Sequence, residues 1–129
     1  MLNENDMEKR KTTSSNYLNQ SFLKEKRALN ELIYFLGRRW VTEVFCSIEE
    51  GHNRFSSIKD DLKHISDHIL ANRLRLLETN HFVRKKIFNE IPLRVEYILT
   101  EKGTVLISLL DSLGDFAETT SFQEPGKLQ

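Results

Sequence analysis

The sequence predicts an α+β fold, in which four helical stretches are followed by a β-hairpin and one more helix. Three observations carry that prediction. Apolar residues recur at helical spacing in short pieces from Phe22 to Asn80, the pattern becomes β-rich between Phe82 and Leu99, and helical spacing returns after Thr100.

Each element has its own reason. Phe22, Leu29, Leu32, Ile33 and Leu36 share one face of a first helix, and Gly37 supplies its stop. Trp40, Val41, Val44, Phe45 and Ile48 keep register in a second helix that ends at Gly51. A short third helix runs from about Ser56 to Lys63 with Ile58 and Leu62 inward, and Ser66 is the N-cap of a fourth that reaches about Asn80. Phe82 to Phe88 and Arg94 to Leu99 read as antiparallel strands, with Val95, Tyr97 and Leu99 alternating against Arg94, Glu96 and Ile98, and residues 89–93 as the connecting loop. Thr100 caps a last helix whose stripe is Leu106, Leu109, Leu110, Leu113, Phe116 and Ala117. That order is a winged helix with flanking helices: helices three and four form a helix-turn-helix, and the hairpin is the wing. Residues 20–120 make one domain, residues 1–19 a mobile polar arm (or a short helix around Tyr17 and Leu18), and residues 121–129 a flexible tail.

Composition narrows the function. The chain has 129 residues, 19 basic and 19 acidic side chains, and 39% hydrophobic residues, as a globular domain does. No apolar run approaches the roughly 18 residues of a membrane span and the start lacks a signal-peptide core, so the expectation is a cytoplasmic protein with no membrane partner. One cysteine, Cys46, excludes an intramolecular disulfide and a cysteine metal cage. The neutral total hides an asymmetry: residues 51–100 carry 9 basic against 6 acidic side chains and all four histidines, whereas residues 101–129 carry 2 against 5. A basic middle third points modestly to an anionic partner.

The fourth helix sharpens that. With Leu70 at zero on a wheel of about 100° per residue, Leu74 and Leu77 fall within about 40° and fix the buried side. The opposite side presents His68, Ala71, Asn72, Arg75 and Thr79, short polar, amide and cationic groups suited to a major groove, where Asn pairs with adenine and Arg with guanine or phosphate. Ser66 and Asp67 add backbone donors for a phosphate at the helix start, although the Asp67 charge opposes one. Arg73, on the flank, suits a structural ion pair or a phosphate contact better than base readout. On the wing, Arg84, Lys85, Lys86 and Arg94 can follow a phosphate backbone, or equally protect strand edges from aggregation.

Other chemistries have less behind them. Cys46 lies about 200° from Val44 on the second helix and is either an exposed thiol or an unreactive one at a helix contact, with Glu43, Glu49 and Glu50 opposing thiolate. His64 and His68 are four apart, but a helix starting at Ser66 would splay them, so no metal site is assigned. With 5 glycines, no phosphate loop and no nucleophile elbow, no catalytic residue or cofactor is assigned and the protein is not read as an enzyme.

Four segments carry a family resemblance. Leu29 to Trp40 (LNELIYFLGRRW) resembles the "LxxIGxKW" opening of the HxlR-type winged-helix transcription regulators, and Arg54 to Ile58 resembles their "RFxEL". Ile65 to Glu78 resembles "ISxKxLTxRLRxLE", and Ile91 to Gly103 resembles "VPPRVEYxLTxxG", so the likeness covers about residues 28–118 in order. The resemblance implies a bacterial-type, homodimeric DNA-binding regulator related to the MarR group. Helix four and the wing would contact an operator, and the first and last helices would build the dimer interface. That assigns dimerisation to Leu29, Leu32, Ile33, Leu106, Leu109, Leu110, Leu113 and Phe116, and double-stranded DNA to Ser66, His68, Asn72, Arg73, Arg75, Lys85, Lys86 and Arg94. His68 stands where the family often has Lys and Ala71 where it often has Thr. The family's redox sensors carry a cysteine just before the first helix, and none precedes Cys46 here. A small-molecule effector of unidentified chemistry is a further expected partner. The competing expectation is a winged helix used as a protein-interaction module without DNA binding.

Overall fold

The computed structural model describes residues 4–123, with side chains from Asn19 onward. The elements are α1 (Glu4–Gly37), α2 (Val41–Glu49), α3 (Phe55–Leu62), α4 (Asp67–Thr79), β1 (Val83–Phe88), β2 (Arg94–Leu99) and α5 (Glu101–Glu118). They form two compact units divided between Arg38 and Arg39.

The first unit is α1 alone. It extends back to Glu4, so residues 4–18, expected as an arm, belong to this helix rather than preceding it. Its stripe is incompletely covered: Phe22, Leu29 and Ile33 are exposed, and Leu32, Phe35 and Leu36 are half-buried. Of the expected tail, residues 124–129 lie outside the described residues, and residues 121–123 have no regular structure.

In the second unit the core follows the predicted apolar faces. Val41, Val44, Phe45 and Ile48 of α2 are buried with Ile58 of α3 and with Leu70, Leu74 and Leu77 of α4, and α2 packs on α3, α4 and β2. Burial of each such side chain contributes about 1.5–3 kcal/mol. Two turns set the angles. Between α3 and α4, Lys63 has a positive φ of 60°, and Lys59 donates its ammonium to the Ile65 carbonyl at 2.9 Å. Ser66 then caps α4, its hydroxyl accepting from the Ile69 amide at 3.1 Å. Between α4 and β1, His81 has φ 63°, and α5 closes over this turn: Thr100 donates its hydroxyl to the His81 carbonyl at 2.6 Å and Lys102 its ammonium to the Asn80 carbonyl at 2.8 Å. Phe82, just beyond, is buried with its ring 5.9 Å from that of Phe45.

The wing is a two-stranded antiparallel sheet in register from Val83↔Leu99 to Phe88↔Arg94. The expected in–out alternation of β2 is not seen, since all six of its residues are half-buried. β2 packs against α2 and α5, and Asn53 bonds to it twice, donating its side-chain amide to Glu96 at 3.3 Å and accepting the Tyr97 amide at 2.7 Å. α5 divides its apolar residues between two faces. Gly103, Leu106 and Ile107 are buried in the unit's own core, while Val105, Leu109, Leu113 and Phe116 are exposed and Leu110 is half-buried. Leu106, at 5% exposure, therefore supports the fold from within instead of offering itself to a partner chain.

Candidate nucleic-acid interface

The outward face of α4 is the one its wheel predicts. Ser66, His68, Arg75 and Thr79 are exposed, Ala71 and Asn72 are half-buried, and no large apolar residue interrupts them. Ser66 uses its hydroxyl as the helix cap. Asp67, whose charge should repel a phosphate at this helix start, is paired with Lys59 at 2.7 Å. That pair is exposed and of small energetic worth, yet it cancels the charge where an anion would approach. Lys59 escaped sequence reasoning because only the turn between α3 and α4 brings it to Asp67.

Arg73 is engaged inside the protein. Its Nε donates to the Arg39 carbonyl at 2.7 Å, and Nη1 donates to Oδ1 of Asn72. The Arg39 carbonyl leads into Trp40, whose φ of 77° is left-handed and disfavoured for a bulky residue, so Arg73 holds that turn from α4. It serves the fold and orients Asn72, the structural one of the two roles its flank position allows. Arg73→Ala is expected to lower stability by about 1–2 kcal/mol, read by chemical denaturation.

The wing's cations are similarly divided. Strand alternation sets Lys85 opposite Tyr97 on one face, and Arg84, Lys86 and Phe88 on the other. Lys85 lies beside α4, 3.9 Å from Glu78. Phe55, Ala71, Arg75, Glu78, Lys85 and Tyr97 line a small recess there, so the face of α4 and the root of the wing form one surface. Burial, and then Glu78, push the Tyr97 phenol up, keeping it a neutral donor. Arg94, expected on the DNA backbone, is engaged within the wing. It is half-buried, sits 3.3 Å from Glu90 and 3.4 Å from Glu96, and lies 3.9 Å over the Phe88 ring. Arg84, Lys85 and Lys86 remain exposed along β1.

Two other chemistries can be placed. Cys46 is half-buried; burial first, then Glu49, Glu50, Asp111 and Glu43, push its thiol up. Alkylation by iodoacetamide at pH 7 is expected to be slower than that of free cysteine and to accelerate as pH rises; equal rates would contradict this. His64 and His68 are separated by the Ser66 cap and both are exposed, so they form no helical pair. Among the described residues, donor atoms of Glu50, His52 and Asp61 gather within 4.8 Å of one another and could accept a cation. His52 lies 3.6 Å from Asp61 across the α2–α3 turn, a proximity that sequence spacing does not reveal.

A helix-turn-helix with an open polar face on its second helix, joined to a basic hairpin, defines a winged helix-turn-helix protein. The model of the HxlR-like helix-turn-helix family matches residues 35–125, and the chain belongs to that family. It is 37% identical over 91 residues to the HTH-type transcriptional regulator YodB of Bacillus subtilis (strain 168), covering 70% of this chain and 80% of YodB. It is 36% identical over 91 residues to an HTH-type transcriptional regulator of Methanothermobacter thermautotrophicus, covering 70% of this chain and 66% of that protein. Among solved structures, the reduced form of Bacillus subtilis YodB aligns with a TM-score of 0.67 at 34% identity, over 78% of this chain and 96% of YodB. A MarR-family transcriptional regulator from Enterococcus faecalis V583 aligns with a TM-score of 0.68 at 31% identity, over 73% and 86% of the two chains. The chain is a transcriptional regulator of the helix-turn-helix type. No helix among its described residues is long and apolar enough to cross a membrane.

Proposed function

We propose that this protein is a sequence-specific, cytoplasmic DNA-binding regulator that acts as a homodimer on a pseudo-palindromic operator. The carrying observation is the polar outward face of α4, where His68 and Arg75 are exposed and the half-buried Asn72 is oriented by Arg73. Asn72 and Arg75 read base edges in the major groove. The capped start of α4 holds a phosphate on backbone donors, its acidic neighbour neutralised by Lys59. Lys85 and Lys86 then fix the protein against the sugar-phosphate backbone.

The dimer reading rests on exposed apolar residues along two helices, Leu29 and Ile33 on α1 and Leu109, Leu113 and Phe116 on α5. Exposed runs of this kind mark surfaces that are covered in use, and a second copy of the chain would cover each of them symmetrically. Twofold-related α4 helices then meet half-sites about 34 Å apart. An effector of unidentified chemistry would act by changing that spacing.

The rival reading, a protein-interaction module, is favoured by the chain's zero net charge and by Ala71 at the centre of the α4 face. A salt titration separates the two. With a fluorescent duplex of mixed sequence, the regulator binds at low salt and releases steeply as salt rises. A protein that ignores the duplex at every salt concentration is the interaction module.

A further inference from the structure

The tip of the wing carries a feature that phosphate contacts leave unexplained. Ile91 is fully exposed, and Ile87 and Leu93 are 62% and 60% exposed, so aliphatic side chains crowd the end of a hairpin whose β1 strand is cationic. Such side chains at a projecting tip are poorly solvated and call for a partner. The tip's own carboxylate, Glu90, is paired with Arg94 at 3.3 Å, and Lys85 faces Glu78 at 3.9 Å, which leaves the exposed Arg84 and Lys86 to set the charge of the approach. Arg94 also stacks on Phe88 at 3.9 Å and lies 3.4 Å from Glu96, so the two arms are braced just behind the tip. An apolar point on a stiff cationic stem suits a surface whose walls are phosphates and whose floor is the stacked edges of base pairs, which is the minor groove of DNA.

We propose that Ile91, backed by Pro92 and Leu93, is a wedge that enters the minor groove beside each half-site and partly unstacks one base step. This inference rests on the DNA-binding reading and adds a specificity determinant to it. The protein would favour an easily unstacked pyrimidine–purine step at a position where it makes no hydrogen bond to a base.

The test uses the duplex that the wild-type protein enriches from a random pool, with 2-aminopurine replacing adenine at successive positions flanking each half-site. Binding of the wild type is expected to raise fluorescence several-fold at one flanking position. Ile91→Ser should abolish that rise and weaken binding about tenfold with an unchanged salt slope, while Ile91→Met retains both rise and affinity. Thermal melting of the serine variant should match the wild type, because Ile91 contributes nothing to the core. A saturated wild-type complex with no rise, or an Ile91→Ser complex that keeps both rise and affinity, overturns the wedge and leaves DNA binding intact. Failure of the wild type to enrich or bind any duplex overturns both readings.

Discussion

Gly103→Ala is expected to cost about 3 kcal/mol or more, lowering the thermal midpoint by about 10–20 °C. A Cβ on Gly103 would stand 2.0 Å from the Phe82 carbonyl oxygen and 3.0 Å from its carbon, and both are backbone atoms that cannot rotate away. That carbonyl accepts the Thr100 amide at 3.1 Å, and the neighbouring His81 and Asn80 carbonyls are held by Thr100 and Lys102. Relief of the clash therefore pulls at the whole seam between α5 and the α4–β1 turn, with Phe82 buried beneath it. Gly114→Ala provides the contrast. Nothing lies within 4 Å of its added Cβ, so better helix propensity should leave stability unchanged or raise it by up to about 1 kcal/mol. Equal melting of the two variants would refute the close approach at Gly103.

Arg75→Ala is expected to weaken operator binding by about 1–3 kcal/mol, roughly tenfold to a hundredfold, with little change in melting. Its side chain is exposed on α4, so the fold does not depend on it. The loss should fall on the cognate sequence and spare mixed-sequence DNA, because a base contact carries specificity while phosphate contacts carry bulk affinity. Lys86→Ala should do the opposite, lowering the salt slope by roughly one and affecting all sequences alike. Equilibrium anisotropy on both duplexes at several salt concentrations reads the two patterns. Arg75→Ala losses of equal size on both duplexes would assign Arg75 to the backbone.

Much of the second unit is legible in the sequence because its signals are local. Ser66 and Thr100 each accept an amide three residues on, as N-caps do. Leu70, Leu74 and Leu77 define the buried side of α4 by spacing alone. What sequence reading missed depends on tertiary proximity. The flank position of Arg73 allows a structural role, and the wing position of Arg94 a phosphate contact, but only the fold shows Arg73 at the Arg39 carbonyl and Arg94 between Glu90 and Glu96. On α5, one wheel stripe pooled two faces: Leu106 packs inward with Gly103 and Ile107, whereas Leu109, Leu113 and Phe116 face outward. The helix upstream of Phe22 gives no apolar period because its residues are largely polar, so periodicity could not extend α1 back to Glu4. Residues 89–93 form the connecting loop as their turn residues predict, but the exposure of Ile91 and Leu93 there is seen only in the structure.

The most direct test of the central claim is selection from a random duplex pool by the purified protein, beside an Asn72→Ala, Arg75→Ala double variant. The account predicts that the wild type enriches an inverted repeat with half-site centres about one helical turn apart, and that the folded double variant enriches none. A pool that stays random with the wild type, or a repeat enriched equally by the double variant, would contradict the assignment of α4 as the reading helix.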